Sequence, residues 1–347
     1  MNNLKRIVKF SILVIILGCS GSDDDNQNDA TLDYIDLYVS DTQVFVGNSL
    51  VFSVFTSSGN NVTTSTDFYV NSVKIPSNTF IFNDVGVYDV YASYNGMNSE
   101  TIQVSVFPTP LEFKKNVLVE DFTGTWCGWC PRVSYAIKLL KDQEADVSFV
   151  AVHNGDQMTI SGEAALRQFF GVNSFPTAII NREATWSGNQ PGNLAQVTGE
   201  IGKKAYSSVA IESSLDGRQL SVTIKLNMGF SYEQIRLGLF LLEDDLRYNQ
   251  SNYTSYYSDI TNGQTAIGFI HDDVLRYSFS NIFGDVISGE NVGHDKIYSK
   301  EFQYTIPPNF KIENLKLVGF AADFEDRYFI NSRSSNIGEN QNFQPLD

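Results

Sequence analysis

Residues 121–131 read DFTGTWCGWCP. They follow KNVLVEDF (residues 115–122), a mostly apolar run that reads as a buried strand. They lead into PRVSYAIKLLKDQEA (131–145), where Val133, Ala136, Ile137, Leu139 and Leu140 give a helix its apolar side. A Cys-x-x-Cys pair therefore sits on a strand-to-helix turn. Free N–H groups and the helix dipole at such a position stabilise a thiolate. Two intervening residues let one turn hold both sulfurs within bonding distance. The expectation is an exposed, nucleophilic Cys127 and a more buried, resolving Cys130. Half a zinc site is the alternative, but it needs further Cys or His pairs at ligand spacing, and the sequence has none.

Working outward, DVSFVAVHN (146–154) and PTAIIN (176–181) read as further strands. SGEAALRQFFGV (161–172) reads as a short helix with Ser161 as N-cap and Gly171 as stop. NLAQVTGEIGKKAYS (193–207) reads as a closing helix. Strands alternating with helices at this spacing predict βαβ units and a parallel sheet over residues 109–206. Before it, LDYIDLYVS, SLVFSVFTS, TDFYVNSV, GVYDVYASY and ETIQVSVF are strand-like runs split by Gly, Asn, Ser and Pro clusters. They predict an all-β sandwich over 31–108, similar in its late strands to immunoglobulin-like modules of bacterial surface proteins. Pro108-Thr109-Pro110 is a stiff hinge between the two. From Val209 β runs return, and residues 207–347 are expected to form a second all-β sandwich. At 347 residues such a multidomain chain is expected.

The first residues set the compartment. Lys5, Arg6 and Lys9 precede an apolar run from Ser11 to Leu17 that is too short to span a bilayer as a helix. Residues 1–18 read as a signal peptide. Ile16-Leu17-Gly18-Cys19 resembles a bacterial lipobox, which implies that Cys19 becomes a lipidated N-terminus. Residues 19–30 are a polar, acidic linker. Its Ser22-Asp23-Asp24-Asp25 resembles the surface-export signal of Bacteroidota lipoproteins. The net charge is −16, and removal of Lys5, Arg6 and Lys9 makes it more negative. Such a protein repels phosphates, which excludes nucleic acid as a partner. The membrane is met through the anchor at Cys19, at the outer membrane, on its surface or periplasmic face. With Cys19 committed to lipid, Cys127 and Cys130 are the two cysteines left, in a compartment where disulfides persist.

VEDFTGTWCGWCP resembles the active-site strand and loop of thioredoxins. The resemblance implies a central α/β thioredoxin-like domain. Asp121 matches that family's buried acid, which moves the proton of the resolving thiol; a carboxylate at the end of an apolar strand should have a raised pKa. Trp126 matches the aromatic residue that shields the disulfide. Phe175-Pro176-Thr177 resembles the family's cis-proline, whose preceding backbone pairs with an extended substrate. Trp126, Gly128, Trp129 and Phe175 would form the groove. Gly128-Trp129 departs from the usual Gly-Pro, so no potential carries over. The edge strand is reduced to something like EATW. Together with SFPTAIINR, IHDDVLR and ENLKLVGFAADF, these features resemble the 28-kDa outer membrane protein family of Bacteroidota over about residues 111–347.

Other signals are weaker. His153 lies toward the CxxC face and reads more readily as a hydrogen-bonded structural residue than as one tuning Cys127. His271 and His294 neighbour Asp272, Asp273 and Asp295, but without metal-site spacing, and neither a metal nor a cofactor is expected. RYNQSNYTSYYSD (247–259) carries Tyr248, Tyr253, Tyr256 and Tyr257 and reads as a surface loop that could face sugars or a protein. The sequence thus leads to a thiol–disulfide oxidoreductase acting on thiols or disulfides of exported proteins. In it Cys127 attacks, Cys130 resolves, Asp121 handles protons and Pro176 shapes the groove. The alternative is a surface protein that binds an unidentified ligand, with the CxxC as a static disulfide.

Overall fold

The computed structural model describes residues 33–143, 146–323 and 329–346. The expected signal peptide, the expected acidic linker and Cys19 lie outside the described residues. Among the described residues no helix is long and apolar enough to cross a membrane. The chain divides into two compact units at Thr109/Pro110.

The first unit is two β-sheets around one core. Ile35–Val39, Ser49–Thr56 and Thr79–Ile81 form a three-stranded sheet. Gln43–Phe45, Ile102–Phe107, Gly86–Tyr94, Asp67–Val70 and Val73–Ile75 pair in that order in the second. Alternation decides which side chains go inside: Ser49–Thr56 buries Leu50, Phe52, Val54 and Thr56. Phe52 stacks on Phe68 of the opposite sheet at 5.8 Å, so the two layers share their apolar faces.

The second unit is built around a nine-stranded sheet. β1 (Val117–Thr123) runs parallel to β2 (Val147–His153), with α1 (Pro131–Asp142) between them in sequence. α2 (Glu163–Phe169) leads to β3 (Thr177–Ile180), which is antiparallel to β1, and β4 (Ala184–Thr185) is a two-residue edge. Every residue of β1 is buried because it is covered on both faces, as its unbroken apolar run requires. On one face Val117 and Val119 meet Val133, Ala136 and Leu140 of α1. On the other, Leu118 and Phe122 meet Leu166 of α2 together with Phe240, Leu275 and Phe320 from the C-terminal third. Full burial of Leu166 contributes about 1.5–3 kcal/mol to seating α2.

Two local expectations change. Ser161 does not cap α2: Gly162 holds the N-cap position without a side-chain bond. The closing helix is a single turn, α3 (Ala195–Thr198), where Gly199 and Gly202 interrupt the helical pattern.

The C-terminal strands β5 (Ser207–Asp216), β6 (Gln219–Met228) and β12 (Ile297–Thr305) form a separate three-stranded sheet. Its inner face packs on β7 (Gln234–Glu243) and β13 (Leu315–Asp323). β7 and β13, with β10 (Val274–Ser278), β11 (Asp285–Ser288) and β14 (Phe329–Asn336), belong to the nine-stranded sheet. The join is narrow: Ala151 of β2 pairs with Val274 of β10, and the Ala151 N–H donates to the Asp273 carbonyl at 2.8 Å. A boundary between residues 206 and 207 therefore falls inside one compact unit. A buried ion pair reinforces it. Arg182 donates from Nε and Nη2 to Glu120 at 3.0 and 2.7 Å, and its guanidinium lies 3.8 Å over the Phe320 ring. From the far side, a hairpin of β8 (Leu246–Ser251) and β9 (Thr265–His271) reaches back to the first cysteine.

Candidate functional site

Cys127 and Cys130 are joined in a disulfide, with Cα atoms 5.4 Å apart. The Cys130 N–H donates to the Cys127 carbonyl at 3.2 Å, and α1 opens at Pro131, where the missing N–H costs nothing. Cys127 thus sits one turn ahead of the helix. It is 4% exposed, against the sequence expectation of an exposed nucleophile, and Cys130 is 1% exposed.

The Tyr-rich run packs on the cysteine loop. Gln250, itself buried, donates from Nε2 to the carbonyls of Cys127 at 2.8 Å and Gly124 at 3.2 Å. The Ser251 N–H donates to the Thr125 carbonyl and the Tyr253 N–H to the Gly128 carbonyl, each at 2.7 Å. The Tyr253 ring fills the space a side chain at Gly128 would need and meets Trp129 edge-on at 6.1 Å. Tyr256 stacks on Tyr135 of α1 at 4.5 Å, and Tyr257 packs on Phe269 at 4.8 Å. The run is a packed strap rather than a free aromatic surface.

Across the loop, Trp126 donates from Nε1 to the Asn154 carbonyl at 2.7 Å and meets Phe175 edge-on at 5.2 Å. The Phe175–Pro176 peptide is cis and immediately precedes β3. Trp126, Trp129 and Tyr253 each remain about half exposed, at 49%, 54% and 49%. The aromatic groups expected from the sequence thus flank the disulfide, joined by one that was not anticipated.

Asp121 points into the protein from β1, 2% exposed, and its Oδ1 has no hydrogen-bond partner. Burial, with the negative charge of Asp273 adding to it, pushes its carboxyl up to about 8. Asp273 has the opposite fate. Burial would raise it, but Lys316 and Lys141 outweigh that and hold it below the ordinary carboxylate value. Lys141 lies 2.6 Å from Asp273 Oδ2, while Lys316 bonds Asp273 Oδ1 and also reaches Asp244 at 2.7 Å. The two buried acids are thus pushed in opposite directions, Asp121 toward its neutral form and Asp273 toward its charged one.

His153 is buried and its Nδ1 lies 2.7 Å from Asp156 Oδ2. Asp156 Oδ2 also accepts the Thr125 N–H at 2.9 Å, which ties the histidine to the CxxC loop. Burial would raise Asp156, but the His153 hydrogen bond and charge and the N–H groups of Thr125 and Met158 lower it. The His271 ring lies 5.1 Å from His153, and its Nε2 has no partner. Burial and the His153 charge push His271 down to about 3. Among the described residues no group of three His, Cys, Asp or Glu side chains is arranged to hold a metal ion. Sequence reasoning named Tyr253 only as part of a surface loop and did not place it, Gln250 or Asp156 at the cysteine loop. The cluster of tyrosines was a signal, but it carried no information about which surface it covers.

The family model described as Outer membrane protein Omp28 matches residues 163–341. Among solved structures the chain is similar to HBP35 of Porphyromonas gingivalis, with TM-score 0.52 and 20% identity, over 66% of this chain and 77% of that one. That likeness is one of fold. A domain of the outer membrane lipoprotein Omp28 from Porphyromonas gingivalis aligns at 16% identity and TM-score 0.27, over 40% of this chain and 92% of that one. No curated protein matches the chain. Because the matched segment exceeds half of the chain, the protein belongs to the Outer membrane protein Omp28 family, and its place is the outer membrane.

Proposed function

We propose that this outer-membrane protein carries out thiol–disulfide exchange on exported proteins through a thioredoxin-like region around Cys127 and Cys130. The carrying observation is the disulfide at the start of α1, with the buried, high-pKa Asp121 on the strand that leads into it. The order β4-β3-β1-β2, with α1 following β1, supports a thioredoxin-like arrangement. The immunoglobulin-like reading of the first unit is supported by its two sheets around one core.

From the disulfide state, a substrate thiolate attacks Cys127 Sγ and breaks the Cys127–Cys130 bond. A mixed disulfide forms at Cys127 and Cys130 leaves as a thiolate. Asp121, protonated at neutral pH, supplies its proton. A second substrate thiolate then attacks the substrate sulfur of the mixed disulfide and releases Cys127. The substrate has lost two electrons and the pair has gained them; reduction runs the same steps backward. Phe175, Pro176, Trp126, Gly128 and Trp129 would line the peptide groove.

One observation favours a second reading, a binding protein with a static disulfide: both cysteines are buried and the strap covers their loop. The reduction potential of the full-length chain in detergent decides between them. A value between about −120 and −270 mV supports exchange, and one below about −300 mV marks a bond that stays closed.

A further inference from the structure

The strap meets the loop at the backbone carbonyls of the loop, two of them through the Gln250 side chain and two through strap N–H groups. Four carbonyls of the five residues 124–128 accept hydrogen bonds from residues 250–253: Gly124, Thr125, Cys127 and Gly128. Two of these carbonyls also accept within the loop, from Cys127 N–H at 3.0 Å and Cys130 N–H at 3.2 Å. A loop held this closely cannot relax freely. When the disulfide opens, the two sulfurs must separate to non-bonded distance and the turn between them must adjust. Cys127 is also buried, so a thiolate formed there is poorly hydrated. Both effects favour the closed bond.

We propose that Gln250 is a positioning residue of the cysteine pair, and that Gln250–Tyr253 is a strap which holds the Cys127–Cys130 loop in its disulfide form and so sets how readily the pair is reduced. The proposal deepens the exchange reading and rests on it for its biological use. The reaction it governs is disulfide plus two small thiols giving dithiol plus one oxidised small disulfide. Two electrons and two protons enter the pair. Gln250 acts through donor N–H groups aimed at carbonyls and Tyr253 through its ring over Gly128, so the chemistry of each can be removed separately.

The test equilibrates the full-length chain, purified in detergent, with glutathione or dithiothreitol buffers and reads the dithiol fraction by alkylation. Gln250→Met keeps the volume and loses the donors. Tyr253→Ala removes the ring, and Tyr253→Phe keeps it. Gln250→Met is expected to shift the equilibrium toward dithiol by about tenfold, the scale of one buried hydrogen bond, and Tyr253→Ala to shift it in the same direction, with Tyr253→Phe at the wild-type value. In the reduced protein, Tyr253→Ala should also speed iodoacetamide alkylation of Cys127. A wild-type equilibrium in Gln250→Met would overturn the role of Gln250, and wild-type equilibria in both Gln250→Met and Tyr253→Ala would overturn the strap. Should Gln250→Met fail to fold, Tyr253→Ala decides alone, since that side chain is half exposed. Small thiols serve as the probe, so the result is independent of whether the protein exchanges with protein disulfides. Failure of such exchange would sink the proposed function and leave the strap measurement standing.

Discussion

The Tyr253 N–H donates to the Gly128 carbonyl at 2.7 Å, and the Tyr253 ring lies where a Cβ on residue 128 would stand. Gly128→Ala therefore collides with a ring whose backbone is already pinned, and should cost about 1–3 kcal/mol of stability. In a Tyr253→Ala background the same change should cost almost nothing. A double-mutant cycle on thermal or denaturant unfolding reads the difference, and additivity of the two changes would mean that the ring does not occupy that space in solution.

Asp121→Asn should separate stability from activity. The folded carboxyl titrates near 8 and the unfolded one near 3.8, so the folded state holds the extra proton between those values. Wild-type stability from this group is greatest below about pH 4 and falls as pH rises toward 8. The variant lacks that slope, so its advantage in Tm over wild type should grow from pH 5 to pH 8. Its exchange rate at pH 7 should fall by about tenfold or more, because the proton carrier is gone. A Tm difference independent of pH would show that Asp121 is not the titrating group.

His271 should carry part of the acid sensitivity. Its pKa is pushed from 6.5 down to about 3 by burial and by His153, so its neutral form is the one the fold accepts. The contribution is fully present above about pH 6.5 and is lost as pH falls toward 3. Between pH 7 and pH 5 the loss is on the order of 1–2 kcal/mol. His271→Gln should flatten that part of the stability profile, as followed by urea unfolding at each pH. An unchanged profile would assign the acid loss elsewhere.

Arg182→Leu should be among the most damaging changes outside the cysteine loop. It strands Glu120, which is fully buried, without its bidentate partner and removes the cation from the Phe320 ring. The expected cost is about 3–5 kcal/mol, measured as a drop in denaturant midpoint. The double change Glu120→Leu with Arg182→Leu should recover part of it, since no orphaned charge remains.

The strand-to-helix turn at the CxxC was legible because its signals are local. An apolar run marks β1, spacing marks α1, and Pro131 fits at the first helical position. β2 and β3 were legible for the same reason. The α3 region was not, because a helical apolar pattern says little about whether Gly199 and Gly202 will break it. The raised pKa of Asp121 followed from an acid in an apolar strand, but Asp273, which adds to it, lies far away in sequence.

What the sequence determined by itself was the short-range chemistry: a pair of cysteines two residues apart, an acid on the strand before them, aromatics beside them and alternating β-runs on either side. Only the tertiary structure decided that a loop from the C-terminal third lies over the cysteines and that β2 and β10 join two sets of strands into one sheet. The reason is physical. Periodicity, caps and turns report interactions between neighbours in the chain. The strap is held by hydrogen bonds from the Gln250 side chain and from the Ser251 and Tyr253 N–H groups to backbone carbonyls more than a hundred residues away, and every residue carries such carbonyls, so nothing in the identity of residues 124–128 announces the partner.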